Sequence, residues 1–193
     1  MKILWAILGL LGLFIVITLI RAIFFKEKKA ENKKLEPEMI NMEKYCQDLS
    51  DAIKIKTISN YDRELVDWNE FDKFHAFLEE RFPLVHKTMT KTKVADASLV
   101  FKWEGTDPSL DGIAMLAHQD VVPITAGTEQ DWEHEPFSGY NDGEFIWGRG
   151  ALDMKNHLIG VMDAVEALLE EGFQPERDVY LLFGDNEEVV ANA

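Results

Sequence analysis

Residues 3–20 (ILWAILGLLGLFIVITLI) form an unbroken run without a single charge, and this divides the chain before any other feature can be argued. After Arg21 the apolar character continues through Ala22, Ile23, Phe24 and Phe25. At about 1.5 Å rise per residue, about 20 such residues span roughly 30 Å, the hydrocarbon thickness of a bilayer. A surface helix of a soluble core would carry a polar stripe, and none is present. A cleaved signal peptide has a shorter apolar core, about 7–15 residues, closed by small residues. This run instead closes on Ile20, Arg21, Phe24 and Phe25. It predicts an uncleaved single-pass membrane anchor over residues 1–25, in contact with lipid through residues 3–25. Lys2 precedes the span, while Arg21, Lys26, Lys28, Lys29, Lys33 and Lys34 follow it. By the positive-inside rule that asymmetry keeps the bulk of the chain in the cytoplasm.

Residues 26–38 (KEKKAENKKLEPE) are charged, aperiodic and end near Pro37, the composition of a juxtamembrane linker. Residues 39–193 remain for one globular domain, long enough to bury a core. Residues 1–34 hold seven of the 20 Lys/Arg and two of the 35 Asp/Glu, so the remainder carries 13 basic and 33 acidic residues, a formal charge of −20. Such a surface repels phosphate backbones, which excludes nucleic acid as a partner; it suits a site that gathers divalent cations. The single cysteine, Cys46, allows no internal disulfide.

Periodicity then alternates along the domain. Residues 38–54 and 67–81 read as helices, the second with Phe71, Phe74, Phe77 and Leu78 at helical spacing. Residues 97–103 and 112–117 are short apolar runs bounded by Gly, Asp and Pro, the pattern of buried strands. Residues 145–148 read as a short strand behind the Asn141-Asp142-Gly143 turn. Residues 156–171 place Leu158, Ile159, Met162, Val165, Leu168 and Leu169 on one face and stop at Gly172. Residues 178–183 form another buried strand. The alternation predicts an α/β domain with a mostly parallel sheet flanked by helices, whose ligands bind beyond the carboxyl ends of the strands.

Candidate ligands stand at those ends. His118 and Asp120 follow the run 112–117, Asp153 follows the Gly148-Arg149-Gly150 turn, and Glu187 and Glu188 follow the run 178–183. His118 to Asp153 and Asp153 to Glu188 are each 35 residues, about one strand–connection–strand unit. An imidazole with several carboxylates suits Zn2+ or a similar divalent ion, and a central carboxylate can bridge two ions about 3.5–4 Å apart. An acid two residues from a ligating histidine can orient its ring. Each signal alone has a bland reading as structural or surface charge; their joint placement after three strands favours a site. His157 reads as a first-turn helix position, His134 as solvent-facing in an acidic loop, Trp132 and Phe137 as loop packing, and Arg149 as a brace for its turn, reaching a carboxylate. His75 and His86 have no partner pattern.

Four motifs in order make the chain recognisable: His118-Gln-Asp-Val-Val-Pro123; Trp132 with Pro136-Phe137-Ser138-Gly139; Ile146-Trp-Gly-Arg-Gly-Ala-Leu-Asp-Met-Lys155; and Phe183-Gly-Asp-Asn-Glu-Glu-Val189. Over roughly residues 40–190 they resemble the M20 family of metallopeptidases, most closely its carboxypeptidase S and N-acyl amino acid hydrolase branch. The resemblance implies a two-zinc catalytic domain acting on an amide bond beside a free carboxylate, with a peptide or N-acyl amino acid as substrate. By position it makes His118 a ligand of one metal, Asp153 the bridge, Glu188 a ligand of the other, Glu187 the general base and Asp120 the group that orients His118. It also implies a cis peptide at Asp153–Met154 and, because related enzymes act on the lumenal or outer side, a location opposed to the one the charge count gives.

The family pattern further calls for an acid and a histidine after the Glu-Glu pair, and for a smaller domain that binds carboxylate and often mediates homodimers. Five residues follow Glu188. The expectation is therefore an amino-terminal portion of such an enzyme, inactive alone, with a non-catalytic anchored binding module or relic of the fold as the rival reading. Val190-Ala191 stands where the family has small residues, often glycines, and Asp185-Asn186 replaces its usual His-Asp order.

Overall fold

The computed structural model describes residues 2–25 and 41–189. The linker expected at 26–38 and the terminal Val190-Ala191 lie outside the described residues. Two compact units divide near Glu36. In the first, α1 (Lys2–Ile23) is a continuous 22-residue helix with no buried residue, long and apolar enough to cross a membrane.

In the second unit most helices begin where a side chain can satisfy their free amides. The Asn41 side chain accepts from Glu43 and Lys44 N at the start of α2 (Met42–Lys54), and Asp67 caps α3 (Trp68–Arg81). Phe71, Phe74 and Leu78 of α3 are buried, as the spacing predicts. The short helix α4 (Pro83–Thr88) was not legible, because its cap is remote. Glu166 of α5 (Asn156–Glu170) accepts from Leu84 and Val85 N, each at 2.9 Å. The last helix stops at Gly172, φ +73°, where Gly172 N donates to Leu169 O and Phe173 N to Leu168 O, the paired bonds of a Schellman stop.

Six strands follow: β1 (Thr90–Val94), β2 (Ser98–Trp103), β3 (Ile113–His118), β4 (Tyr140–Asn141), β5 (Ile146–Trp147) and β6 (Val179–Gly184). Four of them form a sheet in the order β1-β2-β6-β3, and β4 and β5 make a separate ribbon across the Asn-Asp-Gly turn. The expectation of a mostly parallel sheet is corrected. Only β3 and β6 run parallel, while β1–β2 and β2–β6 are antiparallel. The reason is connectivity: β1 and β2 are joined by a tight turn through Ala95, φ +51°, whereas the path from β3 to β6 contains the crossover helix α5. The strand β1 was missed because all five of its residues are exposed, so no apolar side chain marks it.

Strands β2 and β6 alternate, burying Leu99, Phe101, Trp103, Val179, Leu181 and Phe183 against Phe74, Leu78, Phe82, Val85, Leu158, Ile159, Met162 and Val165. The helices thus cover one face of the sheet. The run at 112–117 was expected to be buried, and this too is corrected. Its strand β3 is a sheet edge with Ile113, Met115 and Leu116 exposed, Leu116 at 65%, because it pairs only with β6 and no described helix covers its outer face.

Phe101 packs on Phe183, with ring centroids 6.0 Å apart, at the centre of this core. Phe101→Ala should lower the free energy of unfolding by about 3–5 kcal/mol. Leu116→Thr at the open edge should change it by no more than about 0.5 kcal/mol. Urea denaturation of the two variants checks both.

Candidate metal centre

The parallel register sets His118 beside Gly184, so the carboxyl ends of β3 and β6 deliver His118 and the Glu187-Glu188 turn to one rim. The sequence placed these residues correctly at strand ends, and the third element arrives from the loop before α5. That loop needs its glycines. At Gly150 (φ +79°) a β-carbon would lie 2.5 Å from Val121 Cγ1, and at Gly148 (φ +153°) 2.5 Å from Ile53 Cγ2, so the turn is wedged between α2 and the segment after β3. The Asp153–Met154 peptide is cis, as the resemblance implies.

One ligand atom each from His118, Asp153 and Glu188 falls within 4.8 Å of the others. His118 is buried. Its Nδ1 donates to Asp120 O at 2.9 Å and lies 3.4 Å from Asp120 Oδ1, which turns Nε2 toward Asp153 Oδ1 at 3.1 Å and Glu187 Oε2 at 3.7 Å. Asp120 is fully buried, and its two carboxylate oxygens accept from Glu187 N and Glu188 N, each at 3.1 Å. The same carboxylate therefore fixes the histidine ring two residues before it and the Glu-Glu turn that begins 67 residues after it.

The electrostatics follow from that crowding. Burial alone would pull the His118 imidazolium down, but the bonds to Asp120 and then Asp153 outweigh it and hold the pKa at about 9. Burial likewise pushes Asp120 up, and the contacts with His118 and the two amides overcome it, so the carboxyl titrates below its ordinary range. Glu188 is pushed up by burial and by the charge of Asp153. Carboxylates crowded around an imidazole nitrogen, with Glu188 pushed up beside Asp153, form a donor set that a divalent cation fits, since the cation would relieve the repulsion.

Four anchors of the site carry no sequence signal. Gln119, between His118 and Asp120, donates from Nε2 to Ala97 O and Phe183 O, each at 2.9 Å. Its Oε1 meets His75 Nε2 at 2.8 Å, which gives His75 a partner that sequence reading did not find. Asp185, one of the two residues that depart from the family pattern, accepts from Ser98 Oγ at 2.6 Å and Arg63 Nη2 at 2.9 Å and holds the turn from the sheet side. Lys155 is fully buried beneath the loop, and burial, opposed only weakly by the charge of Glu70, lowers its pKa to about 7. All of these contacts join segments distant in sequence, so no local pattern could reveal them.

Other expectations need adjustment. His157 is exposed, in keeping with a first-turn helix position. His134 does not simply face solvent: it is half-buried and packs between Tyr140 and Trp147, at 4.2 and 5.1 Å between centroids. Arg149 braces its turn by stacking over Trp132 at 5.1 Å rather than through a carboxylate, and its buried Nε has no hydrogen-bond partner among the described residues. Phe137 is buried in the loop packing. Beside the metal-ligand cluster, Val94, Val100, Leu116 and Leu182 line a cleft of about 570 Å3 on the uncovered face of the sheet.

Strand-end imidazole and carboxylates on this α/β sheet gather donors that suit a divalent cation. Residues 114–193 match Peptidase family M20/M25/M40. The chain is 38% identical over 191 residues to a probable carboxypeptidase S-like 2 of Dictyostelium discoideum, covering 95% of this chain and 36% of that protein. It is 40% identical over 147 residues to carboxypeptidase S of Saccharomyces cerevisiae (72% and 26%), and 38% identical over 143 residues to an N-fatty-acyl-amino acid synthase/hydrolase of Mus musculus (73% and 28%). The chain thus spans about a third or less of the length of these relatives. Its fold resembles that of an M20 family metallo-carboxypeptidase from Sulfolobus solfataricus, with a TM-score of 0.59 at 20% identity over 75% of this chain and 31% of that one.

The pKa values fix a pH window for the metal-free protein. The raised pKa of His118 contributes stability that is complete below about pH 6.5 and is lost as pH rises through about 9. Asp120 acts in the opposite sense: its contribution is complete above the ordinary carboxyl value of 3.8 and is lost as pH falls through its depressed one. Imidazole NMR of the metal-free chain should show His118 titrating well above an ordinary histidine, and Asp120→Asn should return it toward 6.5.

Proposed function

We propose that this chain carries one bank of a two-zinc amidohydrolase site that cleaves an amide or peptide bond beside a free carboxylate. The observation that carries the reading is the convergence of His118, Asp153 and Glu188 on one point, with the Glu187 carboxylate 3.7 Å from His118 Nε2. On this reading His118 would hold one ion, Glu188 the other, and Asp153 would lie between them. A further acid and histidine complete the family pattern. Bound zinc supplies an activated water and a polarised carbonyl. Glu187 takes the proton of that water and returns it to the leaving nitrogen. Its exposed side chain reaches open space over the site, as a base that meets a substrate must. Asp120, beneath it, keeps the Nδ1 proton of His118 in place so that Nε2 is free for metal.

The substrate class, a peptide or an N-acyl amino acid, is taken from the names of the relatives. The proposal extends to location: α1, with a mean hydropathy of 2.9 and no buried residue, serves as a single-pass anchor. Carbonate extraction should leave the chain in the membrane pellet, and deletion of residues 2–25 should release it.

Three donors from one bank predict weak binding. Equilibrium dialysis of the 193-residue chain should find zinc below one equivalent and easily stripped by chelator. In a complete enzyme carrying this site, Glu187→Gln should keep its metal and lose about 10²–10⁴-fold in turnover, the usual range for a general base. Loss of metal in equal measure would make Glu187 a ligand and overturn the assignment.

A further inference from the structure

Asp153 lies in a five-residue turn, Ala151–Lys155, yet the side chain that would bridge the metals is 74% exposed. Among the described residues its hydrogen bond is to His118 Nε2, the atom that metal would claim. Nothing packed around the Asp153 side chain therefore holds it in place, and its position must be inherited from the backbone of the turn. The turn has one side chain in the core, that of Lys155.

Lys155 is 1% exposed. Its Nζ donates to Ala52 O at 2.8 Å and Ile55 O at 2.6 Å, the carbonyls at the end of α2, and lies 4.9 Å from the centre of the Phe74 ring. Helix ends leave carbonyls without partners and carry partial negative charge, so the amine finds its acceptors there. Its own amide donates to Gly150 O at 2.9 Å, which closes the turn. Gly148 and Gly150 hold the start of the same loop against Ile53 and Val121. The loop is thus gripped at one end by glycine contacts and at the other by the Lys155 amine, with Asp153 between them. Stability alone does not account for a lysine here, since a well-packed apolar side chain avoids the desolvation of a buried amine.

We propose that Lys155 is a positioning residue, which fixes the Asp153 carboxylate opposite His118 and Glu188 by fastening the turn to the carboxyl end of α2. The inference rests on the metal-site reading above. Two donated hydrogen bonds are what the role requires.

The test compares the full chain in detergent with Lys155→Met and Leu78→Ala, the latter a core change on the other side of the α3 packing. Co2+ titration followed by visible absorption reads the metal site. The ¹⁵N shift of His118 Nε2 in the metal-free protein reads the contact with Asp153. Lys155→Met should weaken Co2+ about ten- to hundred-fold, the range for groups that orient ligands, and should move the His118 signal. Leu78→Ala should lower the melting temperature and leave both readings unchanged. Should Lys155→Met not fold, Lys155→Gln, which keeps a donor on a shorter stem, should still shift both. Wild-type binding and His118 signal retained in the Lys155 variants would overturn the inference, as would equal changes in Leu78→Ala. If the wild-type chain takes up no Co2+, the metal reading fails by itself, and the His118 signal alone decides whether Lys155 places Asp153.

Discussion

A carboxylate removed from water keeps its charge only if the protein saturates it with donors, and at Asp120 three such donors come from two parts of the chain. His118 approaches from the end of β3, and the amides of Glu187 and Glu188 approach from the turn after β6. The parallel pairing of β3 with β6 brings these donors within reach; without it neither the ring nor the turn would have a fixed position. The site is therefore not a set of side chains placed independently on a scaffold. It is organised around one buried charge, which holds His118, Glu187 and Glu188, three of the residues proposed to face metal and substrate.

How much of this could be read from residues alone depended on whether the signal was local. The strands β2, β3 and β6 and the helices α2, α3 and α5 were legible because apolar side chains recur at the period of each element. Their ends were marked as well, by Asn41, Asp67 and Gly172. The residues β1 and α4 contain, by contrast, are exposed or too few to show a period. Strand direction was invisible too: an apolar run such as 97–103 reads the same whether it pairs up or down, and the mixed sheet followed from where the chain turned back. The candidate ligands were found because the chemistry demands rare residue types at strand ends. Their supports, Gln119, His75, Asp185 and Lys155, were not, since each acts on a backbone atom or side chain supplied by a distant segment.

The two faces of the sheet are unequal, and the site is built on the boundary between them. Phe101, Leu181 and Phe183 point into a closed core, while Val100, Leu182 and Leu116 face the open cleft that runs up to His118 and Asp153. Rigidity on one side and access on the other are what a reactive centre needs: the first holds the donors to within fractions of an ångström, the second admits a ligand.

The strand order β1-β2-β6-β3 also governs when this arrangement can form. The strands β2 and β3 are neighbours in sequence, yet the place between them belongs to β6, some 60 residues later. During synthesis the hairpin of β1 and β2 can close at once, but β3 has no partner until β6 has been made. At about 5–20 residues per second that is a wait of seconds, with an apolar strand uncovered throughout. The insertion that ends the wait is the same event that carries Glu187 and Glu188 onto Asp120, so these donors come together only once β6 has entered the sheet.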